Sequence, residues 1–186
     1  MLKIVAAPNP VLSDIAKPVQ KIDSNILNII AEMKKTLEGT TDPKGVGLAA
    51  PQIGKSLRIF IAKPTDNPDI LVFINPEIAK RSSKEDYVKR PKKPGKKNSK
   101  KLEGCLSLPN IWGPVLRSSS LTLSYLDEEG IKQEKRFSNF LATIIQHEND
   151  HLNGVLFPKR VLEQKGILYK SHKNEKNEDE FEEIEI

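Results

Sequence analysis

The chain has 186 residues, among them 30 Lys and Arg, 25 Asp and Glu, three His and one Cys. At roughly 150 residues per domain this is one domain, long enough for a core without staples. A single cysteine excludes an intrachain disulfide framework, and no apolar run reaches the roughly 18 residues needed to span a bilayer. Residues 1–10 are too short an apolar stretch for a signal peptide and lack the arginines of a transit peptide. With the lone thiol, this points to a reducing cytoplasm and no membrane partner.

The first periodic segment covers residues 25–38. Ile26, Ile29, Ile30, Met33 and Leu37 recur at spacings of three and four and form one apolar stripe on a helix. Asp23 or Ser24 caps its start and Gly39 ends it. Glycines and prolines then exclude regular structure in the first half of TTDPKGVGLAAPQIG. Residues 57–62 (LRIFIA) and 70–75 (ILVFIN) are branched and aromatic and predict strands. Pro76, with no N–H for a central ladder, is expected to end the second.

Residues 80–101 hold eleven Lys and Arg and two acids, a net +9. Self-repulsion and little buriable surface predict an extended loop, solvated or touching a polyanion. Residues 121–126 place Leu121, Leu123 and Tyr125 on one face, and DEEG turns the chain back through 131–137 as a hairpin. Ser138 or Asn139 caps a helix that runs to about residue 153 and stops at Gly154. Its apolar residues cover so much of the circumference that the helix is expected to be buried. Residues 172–186 carry two Lys and seven acids, a net −5, and predict a disordered tail. The globular remainder is nearly neutral. Helix, strands, hairpin and helix, without strand–helix alternation, predict an α+β domain of antiparallel strands packed around the buried helix.

That helix carries Gln146-His147-Glu148-Asn149-Asp150-His151, an H-E-x-x-H pattern. His147 and His151, at i and i+4, project from one face with Cβ atoms about 6 Å apart. Two imidazole nitrogens so placed meet one metal ion at roughly 2.1 Å each. Glu148 borders the same face, where it reaches a water rather than the metal and suits a general base. Two histidines leave a metal short of ligands. His172, Glu163 and Glu175 are formal candidates, and Cys105 is a better one, set in Gly104-Cys105-Leu106-Ser107-Leu108-Pro109, a constrained strand or turn. Spacing alone leaves Cys105 open between ligand and small core hydrophobe.

Three segments, taken together and in order, resemble the signature motifs of peptide deformylase. They are Gly45-Val46-Gly47-Leu48-Ala49-Ala50-Pro51-Gln52-Ile53-Gly54, Glu103-Gly104-Cys105-Leu106-Ser107-Leu108-Pro109, and Gln146-His147-Glu148-Asn149-Asp150-His151-Leu152. A softer resemblance extends from about residue 3 to 170 and makes residues 1–170 the catalytic domain, with a basic insertion at about 80–101. Residues 171–186 are the tail.

The resemblance implies a metal-dependent hydrolase that removes the N-formyl group from N-formylmethionine of nascent polypeptides and releases formate. It assigns Cys105, His147 and His151 as ligands of Fe²⁺, which Zn²⁺, Ni²⁺ or Co²⁺ replaces, with water in the fourth position. It makes Glu148 the base. Gln52 and the backbone N–H of Leu106 stabilise the oxygen that becomes negative. Val46, Gly47, Phe140, Thr143 and Ile144 are the candidates for the methionine pocket, and Trp112 for a contact to the following residue. Glu103 and Arg117 are expected to pair and position Cys105, with Gln146 beside the ligands. The implied partners are N-formylmethionyl peptides and the ribosome, not specific DNA. The alternatives are a metallopeptidase of other specificity and a non-catalytic polyanion or ribosome binder acting through 80–101.

Overall fold

The computed structural model describes residues 2–64, 69–90, 101–175 and 179–185. In chain order its main elements are α1 (Ser24–Glu38), β1 (Gly47–Ala49), β2 (Ile59–Ala62), β3 (Leu71–Arg81), β4 (Glu85–Asp86), β5 (Glu103–Cys105) and β6 (Leu108–Gly113). There follow β7 (Arg117–Ser118), β8 (Ser120–Leu126), β9 (Lys132–Ser138), α2 (Asn139–Leu152), α3 (Phe157–Glu163), β10 (Tyr169–Lys173) and β11 (Asp179–Glu183). Among the described residues no helix is long and apolar enough to cross a membrane.

The larger sheet has the order β1-β2-β3-β8-β9, and its pairings are antiparallel. Its middle is covered on both faces, which is why β2 reads as a continuous apolar run rather than an alternating one. Ile59 and Ile61 of β2, with Val72 and Ile74 of β3, pack with Ile26, Ile30, Met33 and Leu37 of α1. The residues between them, Phe60, Ala62 and Phe73, point the other way and join Leu121, Leu123 and Tyr125 of β8 under Phe140, Ala142, Ile144 and Ile145 of α2. Phe60 and Phe73 stack with ring centres 4.7 Å apart. α1 starts as its sequence dictates: the Asp23 carboxylate accepts from the Ile26 N–H at 3.0 Å, and Gly39 closes the last turn.

A second sheet has the order β11-β10-β6-β5, and a short β4–β7 pair stands apart. Cys105, Val115, Phe157, Val161 and Leu168 form a separate core cluster beneath this second sheet. α2 thus lies between two sheets, buried along most of its length, including the polar residues Gln146, Glu148, Asn149, Asp150 and His151.

Three expectations are corrected. Pro76 does not end its strand. β3 runs on to Arg81, and the pairing with β8 shifts register between Ile74 and Glu77. Pro76 sits in that irregularity, where no ladder donor is needed. Asn75 beside it adopts φ +50 and clasps the backbone of Val19 through both side-chain atoms at 2.8 Å. Residues 80–90 are not an extended loop either. Lys80 and Arg81 close β3, Glu85 and Asp86 pair with β7, and Val88 is buried in the core beneath α2. Residues 91–100, the rest of the expected basic loop, lie outside the described residues.

The acidic end is the third correction. β10 and β11 form an antiparallel pair with Ser171 opposite Phe181 and Lys173 opposite Asp179. Counting charge alone missed that three of the four acids of β11, Asp179, Glu180 and Glu182, lie across from Lys173, His172 and Lys170 of β10. Lys173 Nζ is 2.8 Å from Asp179 Oδ1, and His172 Nε2 is 3.6 Å from Glu180 Oε2. Phe181 also supplies an apolar anchor against the ring of Trp112.

Candidate active site

Helix α2 holds His147 and His151 one turn apart, their ring centres 5.1 Å from each other. β5 ends on Cys105 and turns sharply at residues 106–107 into β6. This places Cys105 Sγ 3.2 Å from His151 Nε2. One donor atom from each of Cys105, His147 and His151 lies within 4.8 Å of the other two, close to twice a metal–ligand bond of about 2.1–2.3 Å. The cysteine is therefore a member of the cluster and not only a core hydrophobe. His172, on β10, faces Glu180, and Glu163 is engaged with Arg160 at 3.0 Å, so neither joins the cluster.

The donors suit a late divalent metal: one thiol and two imidazoles, a softer set than any carboxylate cage. Burial opposes ionisation of the Cys105 thiol, but the neighbouring His151 and His147 outweigh it and bring the group down to about 5, toward the thiolate that a metal needs. Among the described residues, His151 Nδ1 and Glu148 Oε2 are both buried with no hydrogen-bond partner. Unmet polar atoms inside a protein are costly, and here both belong to the cluster or border it.

The cluster is fixed from behind. His147 Nδ1 lies 3.1 Å from Glu103 Oε2, which leaves its other nitrogen for the cluster. The Arg117 guanidinium grips Glu103 with two bonds, Nε to Oε1 at 2.7 Å and Nη2 to Oε2 at 2.9 Å. Its third arm donates to Asp150 Oδ2 at 2.9 Å, and Arg160 Nη2 donates to Asp150 Oδ1 at 2.9 Å. Burial alone raises the Glu103 carboxyl; Arg117 and His147 overcome it and hold the group at about 2. The expected Glu103–Arg117 pair is thus present and reaches His147 directly. Gln146 does something else. It donates to Ser118 O and Ala142 O, both at 2.9 Å, and accepts from the Ser118 N–H and from Arg81 Nη1, both at 3.1 Å, so its side-chain hydrogen bonds tie β7 and β3 to α2.

In front of the cluster is a cavity of about 170 Å³. Val46, Gly47, Gln52, Cys105, Leu106, Phe140, Thr143, Ile144, His147 and Glu148 line it, so the sequence-derived site residues meet at one place, with His151 just behind. Phe140, Ile144 and His147 share one face of α2, as their spacing requires. Gln52, in a short 3₁₀ turn after β1, is anchored by the Ala49 N–H on its Oε1 at 2.8 Å. Its Nε2 donates to Cys105 Sγ at 3.4 Å and to Ser107 Oγ at 3.3 Å.

Gly47 lies against Glu148. A Cβ there would fall 2.8 Å from the Glu148 carboxyl carbon and closer still to Oε1, so only glycine admits the carboxylate. Burial is the main reason that carboxyl is raised to about 7, a suitable range for a group that takes and returns a proton near neutrality. Val88 and Arg90 also line the cavity and were missed by sequence reasoning. The only signal was one valine inside a run of charges.

A family model described as polypeptide deformylase matches residues 1–166. The chain belongs to the peptide deformylase family. A peptide deformylase of Pseudothermotoga lettingae is 39% identical over 155 residues, covering 83% of this chain and 80% of that protein. One of Bartonella quintana is 35% identical over 184 residues, covering 95% and 96%. Among solved structures, the Thermotoga maritima peptide deformylase superposes with a TM-score of 0.72 at 34% identity, over 86% of this chain and 97% of that one. An Acinetobacter baumannii peptide deformylase structure with Met-Ala-Ser bound gives 0.73 at 32% identity, over 86% and 98%. Peptide deformylases are metal-dependent hydrolases that remove the N-formyl group from nascent polypeptides, and the chain is an enzyme of this type.

Proposed function

We propose that deformylation proceeds in the cavity in front of α2, with Cys105, His147 and His151 as ligands of Fe²⁺, for which Zn²⁺, Ni²⁺ or Co²⁺ substitutes. The observation that carries this reading is the convergence of those three donors beside Glu148 Oε2, which has no hydrogen-bond partner among the described residues, at a cavity that Cys105, His147 and Glu148 line. A divalent cation held there supplies Lewis acidity, which favours ionisation of a water and polarises the formyl carbonyl.

The residues of the chain do the rest. Glu148 Oε2 accepts a proton from the water that attacks the formyl carbon. As negative charge develops on the formyl oxygen, Gln52 Nε2 and the Leu106 N–H donate to it; one such donor is typically worth about 10²–10³ in rate. Gln52 is already fixed for this by its bond from Ala49. When the C–N bond breaks, Glu148 returns the proton to the departing amine, leaving formate and a free N-terminus. Val46, Gly47, Phe140, Thr143 and Ile144 receive the methionine side chain, the apolar part of the wall. The Met-Ala-Ser peptide bound by the Acinetobacter baumannii relative is of the product class expected here.

In the cytoplasm such substrates emerge from ribosomes, and the net +9 of residues 80–101 favours encounter with RNA-rich surfaces at low salt. The deciding experiment measures formate release from formyl-Met-Ala-Ser by protein loaded anaerobically with Fe²⁺ and, in parallel, with Zn²⁺. Release with both, faster with Fe²⁺, is expected. Cleavage of internal peptide bonds without formate would overturn the reading.

A further inference from the structure

The C-terminal residues continue the sheet that ends on Cys105, through β6 to β10 and β11. Their side chains converge on Trp112, the only tryptophan in the chain and a residue that lines the cavity. Trp112 Nε1 donates to Ser171 Oγ at 2.9 Å. The ring of Phe181, the cross-strand partner of Ser171, meets the indole edge-on, with centres 6.0 Å apart and planes at 72°. On the opposite strand a Cβ at Gly104 would fall 2.8 Å from the indole ring, so the ring lies directly on that glycine. The indole is therefore fixed by three neighbours, and two of them come from the C-terminal hairpin.

We infer that the β10–β11 hairpin is a substrate-positioning device: Ser171 and Phe181 hold the Trp112 indole as a rigid wall for the residues that follow formylmethionine in the peptide. The inference rests on the reading of the cavity as the peptide site. Trp112 is the contact, and Ser171 and Phe181 act through it. An indole held in one rotamer presents its face to a bound peptide without first being ordered, so loss of either brace weakens peptide binding while leaving the ligand cluster and Glu148 in place.

The test uses the full-length, metal-loaded enzyme with Ser171→Ala and Phe181→Leu. Each variant is expected to raise KM for formyl-Met-Ala-Ser about three- to tenfold, the scale of one hydrogen bond or one aromatic pair, with kcat near that of the parent. KM for formyl-Met amide, which has nothing beyond the methionine, stays unchanged. Ser171→Thr, which keeps the hydroxyl acceptor, restores the tripeptide KM. Because the chain has one tryptophan, its emission reports the same event: Met-Ala-Ser shifts the parent spectrum, and in both variants the peptide-free emission moves to longer wavelength.

Trp112→Phe removes the donor but keeps a ring. It is expected to match Ser171→Ala in KM and to add nothing when combined with it. Equal KM values for tripeptide in parent and variants would overturn the inference, while a peptide-induced emission shift in the parent would leave the cavity reading standing. A parent that deformylates the tripeptide but whose emission ignores Met-Ala-Ser would overturn the inference alone, and a parent that releases no formate from it would overturn the cavity reading.

Discussion

Helix α2 and the β5–β6 hairpin deliver the two halves of the ligand cluster in different ways. On α2, the i, i+4 spacing of His147 and His151 is enough to place both rings on one face, and packing of Phe140, Ala142, Ile144 and Ile145 on the larger sheet holds that face in position. The hairpin has no such local rule. Cys105 reaches the cluster because β5 pairs with β6, β6 pairs with β10, and Glu103 two residues earlier is clamped by Arg117. The helical half depends on one buried helix. The sheet half depends on contacts between distant segments and on a buried ionic chain that joins the two through Asp150.

The comparison is broken most sharply at the residue that uses both halves. Glu148→Gln is expected to retain the metal and lower kcat by about 10²–10⁴; metal analysis beside a formate assay checks it, and substantial residual turnover would refute the general-base role. Next comes the joint between the halves. Arg117→Met leaves Glu103 and Asp150 buried without their central cation and is expected to cost about 3–5 kcal/mol in urea unfolding. The same change frees His147 Nδ1 from a fixed partner and should weaken metal affinity by about 10–100-fold. A variant of parental stability would show that Arg160 alone suffices for Asp150.

A smaller effect is expected at the seam between β1 and α2. Gly47→Ala pushes the Glu148 carboxylate out of position, and a displacement near 1 Å is expected to reduce kcat by up to about 10². Unfolding measurements separate this from a loss of stability. The smallest effect lies far from the site. Asp23→Ala removes the α1 cap and is expected to cost about 1 kcal/mol with kcat unchanged, which sharpens the distinction between scaffold and site.

Legibility in the sequence followed the same division. α1, β2, α2 and the β8–β9 hairpin were readable because each is encoded by local periodicity and capping residues. The H-E-x-x-H spacing likewise gave the relative placement of His147, Glu148 and His151. Cys105 could not be assigned from spacing, since its separation from α2 carries no geometric rule; only the resemblance to a family drew it in. Pro76 misled because a bulge removes the need for the donor it lacks. Residues 80–90 and 179–183 misled because summed charge says nothing about pairing across strands, and because single apolar residues such as Val88 and Phe181 anchor otherwise polar stretches. For Val88 the one signal was an apolar residue inside a run of charges, and the placement of Arg90 and of the braces on Trp112 is a product of sheet order.

The acidic strand β11 has one more consequence. It forms an outer edge of its sheet, and an outer strand with unpaired backbone groups invites another chain to add on. Asp179, Glu180, Glu182 and Glu183 occupy all but one of its five positions. Two molecules that met edge to edge would bring like charges into register, so this enzyme carries at its exposed sheet margin a built-in resistance to self-association into fibrous stacks.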